Sequence, residues 1–156
     1  MQKNNEIQEL LFDIYEKPTR ELDNYLEDIR EQLLGKNITT SQLEDFIITI
    51  PLHLYWLITE TEELGIQEDF AKLQKNEVYN KALSIAQGKV DEKRALAENE
   101  SQTQAIIHMA YSRAYKLMKG KIEMAQELLN SCKKILTLRI TDTELSNNKY
   151  SGRSKD

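Results

Sequence analysis

An all-α fold, with long helices forming an elongated hairpin or bundle that is oligomeric, is predicted by three observations. Apolar residues recur at three- and four-residue steps through each long stretch of the chain, the spacing that lines one face of a helix. Five Gly and two Pro among 156 residues leave little punctuation for the many turns of a β fold. Charged residues make up 30% of the chain, with Leu, Ile, Ala, Glu and Lys recurring throughout, a helix-rich composition. A chain of this length fits one domain and buries roughly two thirds of its unfolded surface.

The first helical stretch spans about residues 5–34 and repeats Ile7, Leu10, Leu11, Ile14, then Leu22, Tyr25, Leu26, Ile29 and Leu33. Pro18 divides it, and Gly35 is its natural stop, because glycine tolerates the left-handed conformation that ends helices. A second helix starts at Ser41, where Glu44 three positions later makes a capping box. It is expected to end near Ile50, since proline disfavours the helical conformation in the residue before it. Pro51 suits the first turn of a third helix, where its missing N–H costs nothing. That helix runs toward Gln87, opens on Leu54, Leu57 and Ile58, is expected to break at Gly65, and continues through Phe70, Leu73, Val78, Ala82 and Ile85 to Gly88.

A last element is expected from about Asp91 to Glu144, roughly 75 Å long if continuous at 1.5 Å per residue. At 100° per residue, Ile107, Ala110, Ala114, Leu117, Met118, Ile122, Ala125, Leu128, Leu129, Cys132, Ile135 and Leu136 share an arc of roughly 140°. Lys116, Lys119, Lys133 and Lys134 fall on the opposite side with Arg113 at the edge, so they form a basic ridge interrupted by Glu123 and Glu127. Lys121 and Arg139 fall near the centre of the apolar arc and must snorkel or meet a carboxylate. The preceding run "LAENESQTQ" puts Asn99, Glu100 and Thr103 where the stripe should continue, which marks either a departure from the core or a polar seam.

Charge is unevenly placed. Residues 1–80 carry 7 Lys/Arg against 17 Asp/Glu, a net −10, and residues 81–156 carry 14 against 9, a net +5. Such asymmetry fits an anionic partner for the basic half, or attraction between the two halves, head to tail or within the fold. Three segments follow from it: an acidic helical segment 1–35, a helical core 36–145 with the long basic helix, and a flexible tail 146–156. The tail holds Lys149, Tyr150, Arg153 and Lys155, charge and one aromatic that also suit a nucleic-acid strand.

Several function classes find no support. The start "MQKNNEIQEL" lacks the apolar run of a secretory signal, and "FIITIPLHLYWLI" is shorter than the 20 or so residues that span a bilayer. A soluble, cytoplasmic protein is expected, for which the sequons at Asn37 and Asn99 carry no meaning. Cys132 lies on the apolar stripe and reads as a buried structural thiol. His53 and His108 stand apart with no ligand spacing around them, and read as partly buried, hydrogen-bonded imidazoles. With no phosphate-binding glycine loop and no nucleophile motif, the reading is of a non-enzyme without metal or cofactor.

The order of a helix with "IPLHLYWL", then "EDFAKLQKNEVYNKAL", a glycine, "KVDEKRALAENESQ", and "AYSRAYKLMKGKIEMAQELLNSCKKILTLR" resembles the small all-helical UvsY-like recombination mediators of bacteriophages. The resemblance covers about residues 40–142 and rests on helix order, the "YNKA" and "AYK" runs, and the terminal "KKIL" with Arg139. It implies an accessory protein that forms homo-oligomers, binds single-stranded DNA through backbone contacts, and helps a recombinase replace a single-strand-binding protein. The residues it implies as phosphate contacts are Lys93, Arg94, Arg113, Lys116, Lys119, Lys133 and Lys134. The alternative is a helical structural or assembly subunit of a phage particle or complex, whose charged halves pair between neighbours.

Overall fold

The computed structural model describes residues 8–10, 12–35 and 38–151, and among these every regular element is helical. A π-helical turn, Phe12–Glu16, leads into α1 (Lys17–Leu34); α2 (Thr40–Ile85), α3 (Val90–Glu100) and α4 (Gln102–Ser151) follow.

The π-turn marks the division expected at Pro18, which stands second in α1 and has no N–H to give the preceding turn. Thr19, fully buried, donates its hydroxyl to the Tyr15 carbonyl at 2.9 Å, so that turn keeps a partner. Gly35 closes α1, its N–H bonded to the Glu31 carbonyl at 3.0 Å. The cap of α2 is Thr39 rather than Ser41. Thr39 Oγ1 accepts the Gln42 N–H at 3.2 Å while Gln42 Oε1 accepts the Thr39 N–H at 2.8 Å, a reciprocal box two residues upstream of the expected one.

Helix α2 ends neither at Ile50 nor at Gly65; both expected breaks lie inside it. Ile50 is fully buried and Leu54 is 5% exposed, so packing on both sides of Pro51 outweighs the lost backbone bond. At Gly65 an added Cβ would stand 3.3 Å from Tyr115 Cε2; the glycine makes room for an aromatic ring. The stop at Gly88 is as the sequence indicates, with φ +116. A side chain there would also meet the Glu92 carboxylate, which accepts the Lys89 N–H at 2.9 Å.

The last element is two helices. Ser101, 4% exposed, has φ −87 and ψ 3 and donates its N–H to the Ala97 carbonyl at 3.0 Å. Its hydroxyl also turns back, to the Glu98 carbonyl at 3.3 Å, a competition with helix bonding typical of serine. Asn99, Glu100 and Thr103 beside it are exposed, so the polar run leaves the core. At the other end α4 does not stop at Glu144, nor does a tail begin at Ser146, because the helix reaches Ser151. Thr137, Thr141, Thr143 and Ser146 each donate to the carbonyl four residues earlier, at 2.8–3.0 Å, which spares these polar turns unbonded hydroxyls. Arg153 and Lys155 lie outside the described residues.

The chain forms two compact units, Met1–Arg20 with Leu57–Gly120, and Glu21–Trp56 with Lys121–Asp156. The acidic segment expected as one piece is thus shared between them. The first unit buries mostly small side chains: Ala71, Ala82, Ala86, Ala97, Ala110 and Ala114, with Leu57, Leu64 and a fully buried Met118. The second buries larger ones: Leu22, Ile29, Ile38, Leu43, Phe46, Ile50, Leu54 and Leu129, with Ala125 and Cys132. Tyr25 meets Phe46 edge-on there, centroids 6.2 Å apart. Of the residues placed on the core face by sequence, Ile58, Phe70, Leu73, Ile85 and Leu117 are instead exposed.

Candidate nucleic-acid interface

In the first unit, burial of Ala110, Ala114 and Met118 orients α4 and leaves Arg113 and Lys116 in solvent. Three residues apart, they are neighbours on the helix surface. Lys119 is exposed too, but its ammonium sits 4.4 Å from the centroid of the Tyr115 ring, a cation–π contact. That is the ring backed by Gly65, so Lys119 is held rather than freely extended. Arg94 is exposed and Lys93 half-buried on α3, one turn before the fully buried Ala97 and toward its side of the helix. In the second unit Lys133 and Lys134 are exposed beside buried Cys132. Charges exposed on a helix surface in this way suit phosphate oxygens.

The two cations expected on the apolar arc are treated differently. Lys121 meets a carboxylate from another helix, Asp23 of α1, in a contact with side chains 19% and 39% exposed. Leu26, Met124 and Leu128 line the groove around the pair, which explains why a cation persists at that angle. Arg139 is half-buried in a shallow groove with Thr40, Ile140, Thr143 and Glu144.

Both histidines are half-buried. His53 lies against Tyr25 with centroids 4.9 Å apart. His108 Nε2 stands 3.9 Å from Glu68 Oε1, an ion pair when the ring is protonated. Among the described residues no group of three His, Cys, Asp or Glu side chains is placed to hold a metal ion, and no helix is long and apolar enough to cross a membrane. Cys132 is fully buried, and burial pushes its thiol pKa up, against a smaller opposing effect of a backbone hydrogen bond. A groove of the first unit gathers Ile14, Glu60, Glu63, Leu64, Gln67 and Tyr111.

A feature that a one-face reading of α2 misses is its outer side. Ile48, Leu52, Tyr55 and Trp56 are 64%, 62%, 68% and 72% exposed, and the Tyr55 and Trp56 rings meet edge to face at 5.8 Å. The signal is present in "FIITIPLHLYWLI", which is apolar all the way round. At 100° per residue Phe46, Ile50 and Leu54 face one way while Ile48, Leu52 and Tyr55 face the other. Comparison with known protein families, curated proteins and solved structures finds no match.

Proposed function

We propose that the chain is a non-enzymatic recombination mediator of the phage type, which self-associates, binds single-stranded DNA along its phosphates, and assists a recombinase in displacing a single-strand-binding protein. The observation that supports this reading most is the exposed pair Arg113 and Lys116 on the side of α4 away from buried Ala110, Ala114 and Met118. Lys119 on Tyr115, and Lys93 with Arg94 on α3, supply further positive charge in the same unit. A few point charges bind one strand weakly, and repetition in an oligomer raises their effective concentration.

The test is fluorescence anisotropy of a labelled single-stranded oligonucleotide against rising salt. Binding is expected to be sequence-tolerant and to weaken with a log–log slope of about 0.7 per phosphate contacted. The double variant Arg113→Glu, Lys116→Glu should lose binding while keeping its helix content and its mass. Equal binding by that variant, or none by the original at low salt, sinks the mediator reading. The exposed apolar side chains of α2 favour a second reading, a helical assembly subunit that holds neighbouring copies together without DNA. Under that reading mass depends on concentration but not on oligonucleotide.

A further inference from the structure

The outer face of α2 in the second unit is more apolar than a solvated helix face ordinarily is. Ile48, Leu52, Tyr55 and Trp56 follow directly on the exposed carboxylates Glu44 and Asp45. The same unit holds a second uncovered stripe, on α4. There the exposed ammonium groups of Lys133 and Lys134 come first, and Leu138 and Leu145, 57% and 56% exposed, follow.

The two stripes match in length and open alike on charge, carboxylates on one and ammonium groups on the other; along the second, Thr141 and the exposed Asp142 lie between the two leucines. Each covers about 18 Å of helix at 1.5 Å per residue. Laid parallel, with Glu44 level with Lys133 and Trp56 level with Leu145, carboxylates meet ammonium groups at one end. Leu138 then falls beside Ile48 and Leu52.

This match is unavailable within one chain, because α2 and α4 run antiparallel in the second unit. Tyr25 lies against His53, and Gln32 accepts a bond from Gln42 at 3.0 Å, so α1 and α2 are antiparallel. Asp23 pairs with Lys121, whereas Thr40 shares a groove with Arg139, Ile140, Thr143 and Glu144. The start of α2 therefore lies toward the end of α4. A parallel pairing needs another copy.

We infer that residues 44–56 of α2 dock in parallel on residues 133–145 of α4 in a second copy of this chain, and that the twofold partner contact is made at the same time. Twofold symmetry uses both stripes of each copy. Six side chains more than half exposed, at about 150–250 Å² of surface for a large one, give roughly 600 Å² of apolar area per copy. With the charged rim this reaches the roughly 800 Å² per partner of a stable interface. Lys133 and Lys134 then serve the protein contact, and phosphate binding falls to Arg113 and Lys116. The pairing stands whether or not the chain binds DNA.

Charge reversal tests it on the full chain by sedimentation equilibrium at low salt. Glu44→Lys with Asp45→Lys, and separately Lys133→Glu with Lys134→Glu, should each raise the dimer dissociation constant about tenfold or more, since symmetry repeats each pair. The fourfold variant should recover the original value to within about threefold. All four substitutions are of exposed side chains, and far-ultraviolet spectra check that helix content is kept. Trp56, the single tryptophan, gives a second readout: its emission should shift to the blue as concentration rises, and less so in either double variant. A monomeric original protein at about 100 μM, well above the micromolar range of interfaces this size, overturns the proposal. So does a fourfold variant no tighter than its parents.

Discussion

Pro51→Ala tests the most unusual feature of the fold, a proline inside a 46-residue helix. In a helix interior proline is about 3 kcal/mol less favourable than alanine, because it offers no N–H to the carbonyl four residues back and crowds it. Here that carbonyl belongs to Ile47. Restoring the bond recovers most of this, but alanine also frees the unfolded chain, at a cost of about 0.4–1 kcal/mol. The net expectation is a gain of about 2 kcal/mol. Pro51 is exposed, so no packing is lost to offset it. For a chain near 150 residues each kcal/mol moves the melting temperature by roughly 2–4 °C, which puts the rise at about 4–8 °C. Urea and thermal denaturation followed by circular dichroism measure it, with a concentration series to separate folding from association. Were Pro51 instead the first residue of a new helix, alanine would be neutral or slightly worse there. A melting temperature that stays put or falls therefore refutes a continuous α2.

Two further substitutions follow from single contacts. Asp23→Ala should destabilise by about 1–2 kcal/mol, since it strands the half-buried Lys121 ammonium among Leu26, Met124 and Leu128, with the usual penalty reduced because Asp23 is partly in solvent. Replacing both partners, Asp23→Ala with Lys121→Met, should recover most of that loss in the same urea titration, and a double variant no more stable than Asp23→Ala would contradict the assignment. Cys132 should react with a thiol reagent only as fast as the protein unfolds. Because the folded thiol holds its proton more tightly than the unfolded one, its contribution is complete below the unfolded pKa of about 8.5. It is lost as pH rises from there through the raised folded value, so stability relative to Cys132→Ala should hold up to about pH 8.5 and drop above it.

Helical periodicity carries the fold class and most of α4's buried arc, because burial at Ala110, Ala114, Met118, Ala125, Leu129 and Cys132 imposes one spacing over many turns. That Lys121 needs an exception was legible for the same reason: a cation at the centre of an apolar arc must snorkel or meet a carboxylate, and that it meets Asp23 depends on contacts distant in sequence. Boundaries were less legible. Pro51 and Gly65 are local helix breakers whose effects are overruled by packing at Ile50 and Leu54 and by the Tyr115 ring, none of which a local rule weighs. Ser101 carries no such mark, since serine is common inside helices and only burial makes its backbone geometry consequential. The basic residues were found by charge alone, and charge did not foretell that Lys119 would rest on Tyr115.

The division of faces around α4 has a mechanistic consequence. In the first unit its buried side is lined by Ala110, Ala114 and Met118, and the exposed side holds Arg113 and Lys116. Side chains as small as alanine let helices approach closely but contribute little apolar area each, so this unit has limited stability to spare. A phosphate-binding function placed on exposed charges asks nothing further of that core: reversing Arg113 or Lys116 removes no buried group and leaves no unsatisfied one. Apolar side chains left in water, as along α2 at Ile48, Leu52, Tyr55 and Trp56, are a standing opportunity for stabilisation, realised only when another surface covers them. On the proposed reading, association would supply stability to the protein and repetition of its charges would supply affinity. Its melting temperature should accordingly rise with concentration even without DNA.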